Sequence, residues 1–468
     1  MWDLVKFSGR IAVISEDGEE TGYAQLAAHC LAIAAHTPKR SLVFCLCSNT
    51  LASLAGYVAF LNNSAVPLLL PQDIDLEALR SLIEAYQPDY AWLPEKKRGQ
   101  AGGEEVFSWS GYVLLRLRKN KTFHLYERLA LLLTTSGSTG SPKLVRQSYE
   151  NIAANTRSII EYLGLDSAER PITTLPMHYT YGLSILNSHL MVGAAIIMTE
   201  KTLMEREFWQ MFSRYKATSF GGVPYTYEML NRLMFFRRDL PSLRSLTQAG
   251  GKLTPELHRK FAEYARDHDK KFIVMYGAVE ATARMAYLPP DKALEKCGSM
   301  GLAIPGGRLS LIGEDGAPIT TPDTVGELLY EGPNVTLGYA ESGADLALGD
   351  ERQGRLPTGD LAKFDPDGFF YIVGRKTRFL KIFGNRVSLD ETERLVKAAF
   401  QDLECACAGR DDALHVFVTD EAKTDEIRKY LAEKTKLNHS AFQVRALKEI
   451  PKTDSSKIQY MELEKFYA

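Results

Sequence analysis

The sequence lacks the marks of a nucleic-acid binder, a zinc protein and a membrane protein. Its 56 basic residues are matched by 58 acidic ones, so it presents no bulk positive field to a phosphate backbone. That balance does not exclude a small anion held locally. The six cysteines are Cys30, Cys45, Cys47, Cys297, Cys405 and Cys407. They form no C-x-x-C pair and no zinc-like spacing. Two C-x-C pairs lie in apolar, strand-like runs, where alternate residues share a face. They read as buried thiols of a reducing compartment. No stretch reaches the roughly 18 apolar residues of a membrane span. The longest candidate, Leu51 to Leu70, is broken by Asn62, Asn63 and Pro67. The first twenty residues carry charge throughout and lack the apolar centre of a secretory signal. There is no repeat at solenoid periods and no low-complexity linker. These absences point to a cytoplasmic chain without a membrane span or a nucleic-acid partner.

What is present is size and alternation. At 468 residues, 45% of them hydrophobic, the chain is long enough for roughly two to four domains. Ser41–Cys47 reads as a buried strand, Thr50–Asn63 as a helix, Ala65–Leu70 as a strand, Asp75–Gln87 as an amphipathic helix and Tyr90–Leu93 as a strand. The rhythm returns with a helix over 150–164, a strand over Ala194–Thr199, a helix over Glu205–Lys216 and a strand over Lys271–Gly277. Such alternation favours parallel sheets covered by helices. From about Gly301 short strands and turns take over, as in an antiparallel or barrel-like appendage. After Gly374 a basic run leads into a compact α+β tail, with a helix over Leu389–Phe400, a strand over His415–Thr419 and a helix over Thr424–Lys436. We place a boundary near Arg375–Thr377, giving an N-terminal domain of residues 1–375 and a C-terminal domain of residues 376–468.

The stretch "LLLTTSGSTGSPKLVRQ" (Leu131–Gln147) stands out. The leucines suit a buried strand. The residues after them have little side-chain bulk, many hydroxyls and one cation. Small residues let backbone N–H groups approach an anion, hydroxyls add donors, and a lysine adds charge. Thr134–Lys143 thus reads as a polyphosphate cradle. It is not the Walker loop, because Pro142 precedes Lys143 and Leu144 succeeds it. Alone, a Ser/Gly-rich stretch is often a mere loop.

Further motifs join it in order. They are "LPMHYTYGLS" (Leu175–Ser184), "QAGGKL" (Gln248–Leu253), "MYGAVEAT" (Met275–Thr282), "PTGD" (Pro357–Asp360), "VGRKTRFLKIFGNRV" (Val373–Val387) and "PKTDSSK" (Pro451–Lys457). With "TTSGSTGSPKLV", this series resembles the adenylate-forming (AMP-binding) superfamily of acyl-CoA synthetases, peptide-synthetase adenylation domains and luciferases. The resemblance covers nearly the whole chain. It implies an α/β fold: a large N-terminal domain of two helix-covered, mainly parallel sheets plus a small β-barrel-like subdomain, then a small mobile α+β C-terminal domain. It also implies two half-reactions. A carboxylate attacks the α-phosphate of ATP, giving an acyl-adenylate and pyrophosphate. A thiol, from CoA or a carrier-protein phosphopantetheine, then displaces AMP.

The same resemblance assigns roles. Thr135, Ser136, Gly137, Ser138, Thr139, Gly140 and Lys143 would hold the phosphates. Ala249, Gly250 and Gly251 would floor the adenine, with Tyr276 stacking on it and Gly277 beside it. Asp360 would accept the ribose hydroxyls, since a carboxylate takes two donors, and Arg375 would contact ribose or phosphate. Glu280 would hold Mg²⁺ with Thr135, a hard cation favouring oxygen ligands. Lys457 would bridge the forming acyl-phosphate oxygens. Lys381 would serve the thiol step from another face of the tail, by domain alternation around a hinge. His178 would gate or line the acyl pocket, with Tyr179, Tyr181, Gly221, Gly222, Val223 and Tyr225 as its other candidates. Each residue also has a plain reading: Asp360 as a turn aspartate, Tyr276 as a core aromatic, Glu280 as a helix N-terminal acid, and Lys381 and Lys457 as solvated cations.

Two positions depart from the family's pattern. Val279 stands where Y-G-x-T-E has threonine, and Thr377 stands at the usual hinge position. The tail is also shorter than is usual. Thr282 is a conceivable substitute for the hydroxyl missing at Val279. The segment Met177–Ser184 has no aspartate to pair an ammonium, whose unpaired burial would be expensive. A plain carboxylic acid, aryl or short-to-medium aliphatic, is therefore favoured over an α-amino acid. Three readings are open: an acyl-CoA synthetase, a stand-alone ligase loading a carrier protein, and a nucleotide-binding homologue with weak catalysis. If Val279 removes a transition-state contact, one worth ~3 kcal/mol, Val279→Thr raises the adenylation rate. An unchanged rate of pyrophosphate release contradicts the missing contact.

Overall fold

The structure, a computed structural model, describes residues 1–118, 123–134, 143–376, 378–382, 385–400, 403–410, 412–435, 437–452 and 458–467, with backbone alone at 379, 381, 385 and 386. The chain divides into two compact units. One is Met1–Leu309 with Tyr330–Leu356; the other is Ser310–Leu329 with Pro357–Ala468. The second unit thus takes in Ser310–Leu329 and begins its main run upstream of the 375/376 division expected from the sequence.

The first unit is organised by an eight-stranded sheet. Its order is Gly338–Ala340, Leu144–Ser148, Leu129–Thr134, Val66–Pro71, Leu42–Cys47, Tyr90–Pro94, Tyr112–Arg116 and Glu104–Trp109. The central pairs are parallel and both flanks are antiparallel. Helical crossovers at Leu51–Asn62 and Leu76–Tyr86 permit the parallel centre; short connections give antiparallel return in the Leu129–Thr134/Leu144–Ser148 and Glu104–Trp109/Tyr112–Arg116 pairs, and Gly338–Ala340 joins the edge from far along the chain. Every residue of Leu42–Cys47 is buried, as for a strand covered on both faces. Alternate residues feed two cores. Val43, Cys45, Cys47, Leu69 and Trp92 pack on one side; Leu42, Phe44, Leu46, Leu68 and Leu93 pack on the other. The Leu51–Asn62 helix is buried from Ala52 to Leu61, which fits its apolar residues on all sides.

A five-stranded sheet comes next in the same unit. Ser219–Gly222, Ser245–Gln248 and Lys271–Tyr276 run parallel, then Ala286–Tyr287 and Leu302–Ala303 pair antiparallel. Its crossover helices, Pro224–Arg232 and Pro255–Asp267, both start on proline, whose missing N–H costs nothing there. The strand expected over Ala194–Thr199 shrinks to Ile196–Ile197. It pairs with Val13 and Ile14 at the edge of a separate three-stranded sheet, and the Thr199 N–H turns to the Thr173 side chain instead of a strand. Part of "LPMHYTYGLS" is helical, opening the Thr180–Val192 helix.

The short strands expected after Gly301 form a second five-stranded sheet, with Asp360 opposite Arg375. In the second unit, Cys405–Arg410, Ala413–Val418 and Phe442–Ala446 form a sheet. It shares a core with the Leu389–Ala399 and Thr424–Thr435 helices. The buried Arg378 ties this unit together. It pairs with Asp390 and, at 2.6 Å, with Glu393, and donates to the Cys407 carbonyl at 3.1 Å. Among the described residues no helix is long and apolar enough to cross a membrane.

Two buried histidines make the first unit sensitive to acid. The His189 ring bonds the Ile185 carbonyl through Nδ1 at 2.8 Å, and the His258 ring bonds the Ala293 carbonyl through Nε2 at 2.8 Å. Burial lowers both pKa values below the ordinary 6.5. The unfolded chain therefore takes up protons that the folded chain resists. Their contribution is fully present above about pH 6.5 and is lost as pH falls through the lowered folded values. The urea midpoint is predicted to drop between pH 7.5 and 5.5, and to drop less in His189→Gln and His258→Gln; an equal drop in both variants contradicts this source.

Candidate active site

The hydroxyl-rich segment connects two paired strands. Leu129–Thr134 and Leu144–Ser148 run antiparallel with Thr134 opposite Leu144. Residues 135–142 join them, so Thr135, Ser136, Gly137, Ser138, Thr139 and Gly140 lie outside the described residues. Lys143 stands at the foot of this connection. Its ammonium lies 3.9 Å from the Tyr339 ring centroid and 3.7 Å from the Glu341 carboxylate. Tyr339 sits on the neighbouring strand, opposite Val145. Its hydroxyl donates to Glu280 Oε1 at 2.8 Å. The Arg352 guanidinium lies 4.5 Å from the same ring, and both cations are within cation–π range. Arg352 also donates to the Glu280 carbonyl at 3.1 Å and to Thr336 Oγ1 at 2.9 Å. Burial, then the charge of Glu280, raises the Tyr339 pKa, so the phenol stays a donor. One tyrosine therefore links the lysine of the phosphate segment to the glutamate expected to hold a metal.

Glu280 fits that metal role. Its Oε1 accepts the hydrogen bond from the Tyr339 hydroxyl, while Oε2 has no protein donor among the described residues. A single carboxylate oxygen beside substrate phosphates is a common arrangement for Mg²⁺. Among the described residues no group of three or more His, Cys, Asp or Glu gathers as a self-sufficient metal cage.

The adenine and acyl candidates meet at the carboxyl ends of three parallel strands, the usual ligand crevice of an open α/β sheet. Gly222 is in register with Gln248, and Gln248 with Val274, two residues before Tyr276. Ala249 N–H donates to the Gly222 carbonyl at 3.2 Å, and Gln248 Nε2 to the Gly251 carbonyl at 2.8 Å. Gly250 has φ +81°, and a Cβ there would stand 2.9 Å from the Tyr179 hydroxyl. At Gly277 a Cβ would collide with the Ala283 carbonyl. Tyr276 is half-buried. Tyr179, Tyr181, Val223, Ala249, Met275 and Tyr287 share one apolar cluster. Tyr181 donates to the Thr247 carbonyl at 2.8 Å. Burial raises the Tyr179 pKa to about 12. His178 is half-buried immediately before the Thr180–Val192 helix. Tyr225 departs from its expected place. It is 44% exposed and absent from this cluster, whereas Tyr227, two residues on, is buried and bonded to the Thr247 carbonyl at 2.9 Å. Residues two apart on a helix point to different sides.

In the second unit, two separately predicted residues come together. Arg375 Nε lies 3.1 Å from Asp360 Oδ1 across the strand pair. Asp360 is buried, while the Arg375 side chain is 67% exposed. Lys381 lies opposite Arg386 in the Phe379–Ile382 and Asn385–Ser388 hairpin; its side chain lies outside the described residues. Lys457 and Thr377 also lie outside them. The segment bearing Lys457 is bounded by a bridge from Lys452 to Ile458.

Val279 joins the large apolar core. Thr282 does not replace its missing hydroxyl. Its Oγ1 donates to the Asn334 carbonyl at 2.7 Å, and its backbone is held at φ +65°. Sequence motifs do not reveal Tyr339 or Arg352. Neither sits in a distinctive local pattern, and only the strand pairing brings Tyr339 beside Lys143.

The family model described as AMP-binding enzyme matches residues 2–340, and the chain belongs to that family. Among its relatives is the 2-succinylbenzoate–CoA ligase of Listeria innocua, 27% identical, covering 74% of this chain and 71% of the relative. The indoleacetate–CoA ligase of Aromatoleum aromaticum is 31% identical, covering 60% and 54%. Of solved structures, the O-succinylbenzoate coenzyme A synthetase of Bacillus subtilis with AMP superposes with TM-score 0.80 at 21% identity, over 98% of this chain and 97% of that one. Tyr339→Phe removes a hydrogen bond to a charged group, worth about 1.5–3 kcal/mol. It is predicted to lower kcat/KM for Mg-ATP by roughly 10-fold or more at a temperature where the variant is still fully folded. An unchanged value shows that the hydroxyl does not position Glu280.

Proposed function

We propose that this chain is an AMP-forming acid–thiol ligase of the acyl-CoA synthetase type. It joins a carboxylic acid to AMP at the expense of ATP and passes the acyl group to CoA. The observation that carries this reading is the Lys143–Tyr339–Glu280 linkage at the foot of the phosphate segment, in a chain of the AMP-binding family. Little proton transfer is needed in the first half-reaction. Positioning, and stabilisation of negative charge at phosphorus, dominate. Lys143 and the segment 135–142 hold the phosphates. Glu280 with Thr135 holds Mg²⁺, which when bound offsets phosphate charge and orients the leaving pyrophosphate. Gly250, Gly251 and Tyr276 receive the adenine; Asp360 accepts the ribose hydroxyls beside Arg375. Lys457 serves adenylation and Lys381 the thiol step.

The relatives are named for acids as different as oxalate, sulfoacetate, indoleacetate and 2-succinylbenzoate, so similarity alone does not choose the acid. All four are CoA ligases, which favours CoA over a carrier protein as acceptor. Six free cysteines, five of them buried, support a reducing, cytoplasmic setting. Incubation with Mg-ATP and a panel of acids, then CoA or a phosphopantetheinylated carrier, reads both half-reactions. Lys457→Ala is predicted to lower pyrophosphate release about 100- to 1,000-fold, while thioester formation from preformed adenylate persists. Equal loss of both steps contradicts the assignment of Lys457.

A further inference from the structure

Three arginines of the described residues are almost wholly buried: Arg146 at 0% exposure, Arg284 at 2% and Arg378 at 9%. Two have carboxylates. Arg146 pairs with Glu351, and Arg378 with Asp390 and Glu393. Arg284 has no acidic partner among the described residues. Its Nη2 and Nε share Ser184 Oγ, at 3.0 and 3.4 Å, and its Nη1 faces Met275 Sδ at 2.8 Å. Its guanidinium carbon lies 3.9 Å from the Tyr181 ring centroid. A guanidinium carries five N–H donors, and a thioether is a weak acceptor. These partners are a hydroxyl and a sulfur, the Tyr181 phenol lies alongside, and none of the described residues supplies a carboxylate. A buried charge without a counter-charge is costly.

The position is fixed from both ends. Asn155 accepts from the Arg284 N–H at 3.3 Å and donates to its carbonyl at 2.9 Å; Asn334 donates to the same carbonyl at 2.9 Å. The side chain enters the aromatic cluster at the carboxyl ends of the parallel strands. It lies against Tyr181 and Met275, members of the group that includes Tyr179 and Val223. The guanidinium also draws down the pKa values of the Tyr179 and Tyr181 phenols against the stronger effect of their burial. A cluster of rings and apolar groups thus encloses one fixed cation that has no acidic partner among the described residues.

We propose that Arg284 is a specificity-determining residue that receives a second anionic group on the acid, a carboxylate or a sulfonate. The substrate is then an acid carrying two ionised groups, one activated and one held by Arg284. This rests on the reading of the cluster as the acyl pocket. A planar guanidinium matches a carboxylate through paired N–H bonds, and low surrounding polarity strengthens them. A neutral acid gives it no counter-charge.

The test uses the full chain with Mg-ATP and tracks pyrophosphate release. Matched acids are compared: dicarboxylates of graded length, sulfo-carboxylates of the same length, and the mono-methyl ester of each dicarboxylate. For the best length, the wild type is predicted to prefer the doubly ionised acid over its ester by on the order of 10- to 100-fold in kcat/KM. The better of the carboxylate and sulfonate arms identifies the group. Arg284→Met is predicted to abolish this preference while neutral acids are still activated, and Arg284→Lys to retain part of it. Should Arg284→Met fail to fold, the wild-type ratio decides alone. A wild type that activates esters as well as dianions, or an Arg284→Met variant that keeps the preference, overturns the role of Arg284 and leaves the ligase intact. No pyrophosphate release with any acid overturns the ligase reading and this inference with it.

Discussion

The hydrogen bond from Tyr339 to Glu280 is the constraint on which the phosphate end of the site depends. Glu280 leaves the second sheet region in a tight turn, and Lys143 leaves the phosphate segment of the first sheet. They share no element. The edge strand Gly338–Ala340 brings them together by pairing with Leu144–Ser148 and presenting one ring to Lys143 and one hydroxyl to Glu280. Arg352 and Thr336 hold the glutamate backbone from behind. A carboxylate fixed in this way is already oriented when nucleotide arrives, which is how electrostatic stabilisation avoids reorganisation during the reaction.

The buried arginines differ in how their charge is met. Arg146 and Arg378 are each enclosed with carboxylates and carbonyls of their own unit, and their charges are spent on the fold. Arg284 is as deeply enclosed, but among the described residues it is met by hydroxyls, a sulfur and a ring rather than by a carboxylate. On the proposed reading, phosphate handling and acid selection draw on different parts of one segment. Glu280 turns toward Tyr339, and Arg284, four residues on, turns into the aromatic cluster. The strained backbone of Thr282 lies between them, locked by Asn334.

Much of the fold was legible in the sequence because burial on both faces leaves a strong mark. Leu42–Cys47, Val66–Pro71 and Tyr90–Pro94 lie where continuous apolar runs put them, with helices between. Legibility failed where partners decide the outcome: of Ala194–Thr199, two residues pair as a strand. The site was legible where a motif is local, as at Asp360 and Arg375, which face each other across one strand pair. It was not legible for Tyr339 and Arg352, whose roles arise from strand order. Nor was it for Arg284, since burial without a counter-charge cannot be seen in a string of letters. Tyr225 was misplaced because nearness in sequence to Val223 does not fix the side of a helix.

The central claim is that ATP lies with its triphosphate against the segment between Thr134 and Lys143 and its metal on Glu280. A crystal structure of the chain with Mg-ATP tests this directly. The account predicts phosphate oxygens against residues 135–143 and the metal bound through Glu280 Oε2. Nucleotide bound elsewhere, or a metal bridged to the phosphates without Glu280, would contradict it.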